Sequence, residues 1–470
     1  RSGNASLQAS ARIDGLADGF PNEGRGVLTA EDLSRFGAIT ERPLSGGANL
    51  GLEGSGTPLS GAFDLILSAS TVDLVIGEAR VDPLMRGRST VDMAARRDET
   101  GTYIEALSVR SPAIEADASG QLNGEAGAMR FDGTLNDLSL VEPKLSGPAV
   151  IDTELSWEQD GALELKRLNA RALDAEITAQ GSLNTSDERL PASGSLTLRA
   201  EDISRLAEFL QRPLQGAVDM SVEGSGTITS LSLDGTLDVL ARNLRTGIEQ
   251  VDKITEGSVD LDATLAYGDG IPFIDALALD TENLTVSANA AAPGEAITIG
   301  ARLSNLGLVA PGISGPASLN GTVTPQDATG ENLDVDLKFE GPLNVGARIA
   351  GQIRDFGQDL RLAIQGSAPL ALANQFMAPN SITGLLNFDL RVDGPPGLSA
   401  LSGQASFREA RMALPNANLA VTGLGGSVNI SGGQASPDIS GSLGSGGQFR
   451  VTGPITLSAP YNAKDRKSVV

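Results

Sequence analysis

The sequence contains no cysteine and no histidine in 470 residues. Without cysteine there is no disulfide framework, no thiolate nucleophile and no zinc–thiolate site. That absence suits an oxidising periplasm, where stray thiols are a hazard. Without histidine, the commonest general acid–base and metal-binding side chain is missing. Carboxylate pairs or Ser–Lys chemistry remain open to a chain with 59 acidic residues, but no motif points to either. The chain reads as a non-enzyme with no cofactor. Positive charge is also short: 35 Lys and Arg leave a net charge of −24. That balance argues against nucleic acid as a partner, because phosphates need a basic face. No run approaches the ~18 apolar residues of a membrane-spanning helix, and no signal-peptide pattern follows Arg1.

Aromatic residues are scarce as well, with one Trp, three Tyr and twelve Phe. Sandwich cores normally use large aromatics to fill the space between sheets, and sugar-binding grooves stack rings on them. Neither fits here. What the chain has is aliphatic: hydrophobic residues make up 40%, mostly Leu, Val, Ile and Ala, punctuated by 57 glycines.

These aliphatic residues alternate with polar ones, the period of a half-buried strand. Val259, Leu261, Ala263, Leu265 and Tyr267 form one such series; Leu333, Val335, Leu337 and Phe339 form another. Leu386, Phe388, Leu390 and Val392 form a third, and Ile297, Ile299, Ala301 and Leu303 continue the habit. Asp-Gly pairs at 132–133, 160–161, 234–235, 269–270 and 393–394, and Asn-Gly pairs at 123–124 and 320–321, read as tight antiparallel hairpin turns. Helix is scarce. Asp202 is a candidate N-cap for 200–212, where Ile203, Leu206 and Leu210 share a face before Pro213. A matching piece starts at Asp32, and a third short helix falls at 369–379.

The chain repeats itself over long distances. AEDISRLAEFLQRPLQGAVDMSVEGSG (200–226) aligns without gaps on AEDLSRFGAITERPLSGGANLGLEGSG (30–56). LNDLSLVEPKLSGPAVI (135–151) recurs in the same way as LSNLGLVAPGISGPASL (303–319). Two independent markers therefore agree on one long period, the signature of a protein that grows by adding units. The expected organisation is a first repeat over 1–198, a second over 199–366 and a truncated third over 367–463. The last residues, KDRKSVV, break the composition, so 464–470 reads as a non-native tail. The helices mark either a hand-over between stretches of sheet or a small core plug within a domain.

The predicted fold is therefore all-β: a long, repetitive antiparallel β-groove, a curved open sheet with a few short helices. Its repeat would be about 170 residues long, far more than the single rung of an ordinary solenoid. A dry trough lined by small and branched aliphatic residues suits a flexible acyl chain better than a flat ring. The modules RPLQGAVDMSVEGSG (212–226), ISGPASLNGTV (313–323) and SITGLLNFDLRVDGPPG (381–397) resemble the periplasmic β-rich repeats of the TamB family, relatives of the AsmA-like proteins. The resemblance covers residues 1–463 and is one of repeat style. It implies an inner-membrane subunit of a translocation and assembly module, held in the periplasm by an N-terminal anchor absent from this sequence. It further implies an outer-membrane Omp85-type partner, met through a C-terminal region also absent here. The implied activity is transfer of phospholipid between inner and outer membrane, with outer-membrane protein assembly as the alternative role.

Candidate groove-lining residues are the alternating apolar ones: Val218, Met220 and Val222; Val259, Leu261 and Leu265; Leu333, Val335, Leu337 and Phe339; Leu386, Phe388, Leu390 and Val392. Packing between sheets is the alternative role for each, and a register slip of one residue would turn a whole strand outward. At about 10 to 18 residues per strand with its turn, the chain would hold roughly 26 to 46 strands, a sheet on the order of 120 to 220 Å long at ~4.8 Å per strand. A secreted parallel β-helical adhesin is the remaining rival, with rungs of about 20 to 25 residues.

Overall fold

The computed structural model describes residues 5–457, other than 18, 124–125, 269–270, 293, 311 and 328, together with 466–468. The Asp269-Gly270 pair, Gly124 and most of the tail 464–470 lie outside the described residues. The chain divides into two compact units, 1–230 and 231–470.

Among the described residues, the first unit is a meander of thirteen antiparallel strands, from Ala5–Ile13 to Gln215–Thr227, each hydrogen-bonded to the next. The second begins with Ser232–Arg245 and continues in the same way to Gln434–Leu443, which pairs with both Gln448–Thr452 and Ile455–Thr456. Among the described residues no pairing joins the first strand of a unit to its last, so each sheet is open. Every pairing described is antiparallel, which leaves no place for a parallel β-helix.

Strand direction decides where the helices fall. In the first unit, the helical turns at Leu33–Phe36, Asp82–Met85, Leu138–Leu140 and Ile203–Leu206 all follow strands that run the same way. They therefore share one rim. In the second unit Glu249–Ile254, Leu306–Leu308 and Leu370–Ala373 likewise share a rim. The module at 33–40 recurs at 203–210 and again at 370–377, in each case ten strands later along the chain.

The repeated residues explain the repeated shape. Asp32 Oδ1 accepts the backbone N–H of Ser34 at 2.9 Å, and Asp202 accepts that of Ser204 at 2.9 Å. The helix after Asp202 is one 3-10 turn followed by the α-turn Ala207–Leu210, and Gln211 in the left-handed region closes it two residues before Pro213. The second marker is a cap of the same kind with a longer reach. Asp137 accepts from Ser139 N (3.0 Å) and Gly147 N (3.1 Å). Asn305, its counterpart in the later copy, accepts from Gly307 N (3.0 Å) and Gly315 N (3.1 Å). One short polar side chain thus closes each loop.

Several glycine dipeptides sit elsewhere than the turn chemistry predicts. Asp160-Gly161 does form a turn, but Asp132-Gly133, Asp234-Gly235 and Asn320-Gly321 lie inside strands, and Asp393-Gly394 ends one. At Gly321 the reason is close approach of the next strand, whereas at Gly133 the ring of Phe131 occupies the space and Gly394 has nothing within 4 Å. A Cβ on Gly321 would lie 2.1 Å from the Asp336 carbonyl oxygen, and its φ of +156 is a backbone conformation that favours glycine. Glycines of this kind bend a strand and curve the sheet. Left-handed turn positions are filled by glycines such as Gly61, Gly161 and Gly432-Gly433, and also by the pairs Leu173-Asp174 and, one repeat later, Leu343-Asn344.

Candidate functional site

Cross-strand register places the alternating residues in long rows. In the first unit one row runs through Leu28, Leu50, Ala69, Val91 and Val109, and ends at Ile177, Leu198 and Met220. All thirteen strands contribute an apolar residue or glycine to it. The neighbouring row on the opposite face carries Ser68, Asp92, Ser108, Asp117, Asp132 and Asp152.

The second unit repeats the division. Leu237, Ala263, Leu277, Ala288, Ile299 and Gly321 form a row that continues through Leu337, Ile349, Ile364 and Leu390. The polar face opposite presents Asn320, Lys338, Arg348, Gln365 and Asp389. There Arg348 donates to both carboxylate oxygens of Asp336 at 2.8 and 2.6 Å. These hydrogen bonds hold the Asp336 carboxyl below the usual range despite some desolvation.

The sequence-predicted residues occupy this geometry as follows. Val218, Met220 and Val222 share a face in the first unit, opposite Ala200, Leu198 and Leu196. Leu261, Phe339 and Phe388 lie on one row of the second unit, which passes through Leu279, Val286, Ala301 and Leu319 between the first two. Leu337 and Leu390 share the next row. Val335 and Val392 share a third, through Gly351 and Leu362. Leu333 and Leu386 lie in the first two positions of their strands, and Val259 is buried beside Ala241. Leu265 stands next to an irregularity in the ladder and is 38% exposed. Ile349 and Ile364 belong to the same surface, although the alternation in the sequence does not mark them. Their strands do alternate, but Gly351 and Gly366 interrupt the apolar series and weaken the signal.

Burial distinguishes this face from an ordinary core. The fully buried apolar residues are mostly small: Ala30, Ala200, Ala241, Ala263 and Ala288 are examples. Large side chains such as Leu337, Phe339 and Leu390 stay half-buried. Within each unit all the described strands belong to one sheet, and the large side chains of these rows are covered only in part. Against the first unit's sheet lies a cavity of about 630 Å³, lined among others by Ala9, Gly26, Leu52, Gly54, Phe63 and Leu65.

Among the described residues no group of three or more Asp or Glu is arranged to hold a metal ion, and no helix is long and apolar enough to cross a membrane. In comparisons with known proteins, no family model matches the chain and no curated protein is significantly similar to it.

Proposed function

We propose that the apolar face of each unit is a trough for the acyl chains of phospholipid, in a periplasmic protein that carries lipid between the inner and outer membranes. The observation that carries this reading is the division of faces: rows apolar across ten or more strands on one side, polar rows on the other, and large side chains such as Leu337, Phe339 and Leu390 on the apolar rows left half-buried. An exposed apolar surface of that extent calls for an occupant. A ~16-carbon acyl chain loses about 13 kcal/mol of favourable burial on entering water, at ~0.8 kcal/mol per methylene. A continuous aliphatic row offsets most of that cost without fixing the chain at one position. Thirteen strands at ~4.8 Å give each row a run of about 60 Å.

The resemblance to TamB-type repeats supports the same reading and supplies the membrane anchor and the Omp85-type partner as proposals about missing segments. The second reading, a scaffold for outer-membrane protein assembly, would use the same face or the sheet edges for protein segments.

The test is detergent-free purification from a bacterial periplasm followed by lipid extraction and mass spectrometry. The Val335→Asp, Leu337→Asp double variant is run beside the parent, with Asp336→Ser, Lys338→Ser on the opposite face as control. Several phospholipids per parent chain, depleted in the first variant and retained in the second, are expected. A folded parent free of lipid would overturn the proposal and leave the scaffold.

A further inference from the structure

The third helical module lies against a buried cluster. Ile382, Phe407, Ala410, Val421 and Leu424 form a buried cluster, with Phe407 6% and Ala410 0% exposed. Leu370, Ala373 and Met377, from the module itself, pack against it. So does Leu386, one of the apolar-face residues. The apolar face is therefore roofed over here, by the chain's own residues 370–384.

The roof is a self-contained flap. Its base is closed by Leu370 N donating to Gly384 O at 2.9 Å. Asn374 Oδ1 accepts the Ile382 N–H at 2.6 Å and ties helix to strand inside it. Only three residues, Ser381–Thr383, join the flap to the sheet as a strand, opposite Arg411, Met412 and Ala413. Apolar contact supplies the rest of its hold, on the cluster beneath and, through Phe376, beside the loop at Gly312.

Its composition is unlike that of its counterparts. Residues 362–388 contain no charged side chain, whereas 31–42 and 201–212 carry Asp, Glu and Arg. Phe376, on the helix, is 71% exposed. A module whose water-facing side carries Gln375, Phe376 and Pro379 but no charge has unusual chemistry for a surface element. It suits surroundings in which hydrocarbon replaces water.

We propose that 370–384 is a displaceable flap over the lipid path of the second unit, and that an acyl chain is the ligand that displaces it. The inference rests on the lipid reading above. An acyl chain lying on Leu386, Phe407 and Leu424 substitutes for Leu370 and Met377 with contacts of the same kind. The displaced helix keeps hydrocarbon on its faces. A ligand shifts such an equilibrium only by binding one state better, and acyl chains reach these residues only in the open state.

The chain's lack of cysteine makes the test clean. Ile382 and Met412 are direct partners across an antiparallel pair, a separation that a disulfide can span. The Ile382→Cys, Met412→Cys variant of the full chain is assayed for uptake of fluorescent phosphatidylethanolamine from donor vesicles, reduced and oxidised. A control disulfide, Thr322→Cys with Asp336→Cys, joins a partner pair outside the flap. Uptake at least tenfold slower in the oxidised flap variant, restored by dithiothreitol and unchanged in the oxidised control, is the expected result. Hydrogen exchange of the 381–383 amides should also quicken when vesicles are added to the parent chain. A lipid-loaded variant with equal uptake in both redox states overturns the flap alone. A reduced chain that carries no lipid and ignores vesicles overturns the lipid reading as well.

Discussion

Gly351 faces the Arg361 carbonyl so closely that a Cβ on it would lie 2.1 Å from that oxygen. The two residues sit on neighbouring strands near the middle of the second unit's sheet, where Gly351 has a φ of +141. Gly351→Ala must open the strand pair or strain the backbone. Its cost is expected at about 1–3 kcal/mol or more. Gly346, in the same strand, has nothing within 4 Å of the equivalent position. Gly346→Ala should change the urea midpoint by much less. Equal effects from the two substitutions would contradict the close approach.

The Asx caps should be worth more than their exposure suggests. Asn305→Ala removes the acceptor of both Gly307 N and Gly315 N, and a loss of about 0.5–2 kcal/mol is expected. Asp137→Ala does the same for Ser139 N and Gly147 N and should lower the urea midpoint in the same direction. Native-state hydrogen exchange should localise the two effects to residues 306–315 and 138–147. Exchange that stays unchanged there would mean the loops are held by other contacts.

Acid should weaken the fold, and neutral pH should leave it level. Hydrogen bonds hold several folded-state carboxyls below their usual value. The Ser204 backbone does so for Asp202 and the Ser139 backbone for Asp137. Desolvation opposes the shift at Asp327, but hydrogen bonds from Thr329, Asn332 and Glu331 outweigh it and bring the group to about 2. A depressed folded pKa contributes stability that is complete above the unfolded value, about 3.9 for Asp, and is lost as pH falls through the folded value. Thermal midpoints should therefore drop between about pH 4 and pH 2. With no histidine to titrate, they should stay flat from about pH 6 to 8. A transition near pH 6.5 would show that some other group is strongly displaced.

The surface ion pairs should matter little. Arg348 and Asp336 make two short hydrogen bonds, yet their side chains are 68% and 49% exposed. Water and salt screen such a pair, so Arg348→Ala is expected to leave the urea midpoint nearly unchanged and lipid content intact. Ile364→Asp, on the row of Leu337 and Leu390, should reduce lipid content as Leu337→Asp does. Comparing Arg348→Ala with Ile364→Asp by mass spectrometry tests which face carries lipid.

The candidate face was largely legible because a strand's period is two. In Leu333–Gly341 and Leu385–Gly394 the alternation by itself assigned Val335, Leu337, Phe388 and Leu390 to one side. The rows through Ile349 and Ile364 were harder to read, since glycine takes alternate positions there and a residue without a side chain carries no sign of its face. The glycine dipeptides misled for a related reason. Asn320-Gly321 has turn chemistry, but it serves a bend whose cause is the backbone of Asp336 on the next strand.

The sequence by itself determined the strands, the faces of their side chains, the long repeat and the Asx residues that begin its helical loops. All of these follow from periodicity and from hydrogen bonds within a few residues. The open, curved sheet was likewise expected from the alternation and the scarcity of aromatics. Only the tertiary structure decided that large aliphatic residues such as Leu337 and Leu390 remain half-covered, and it alone placed the module at 370–384 against a buried cluster on the apolar face. Cover depends on which distant segments approach one another. Ala410 is sealed by residues from 370–384 and 421–424, and the period of its own strand contains no record of them.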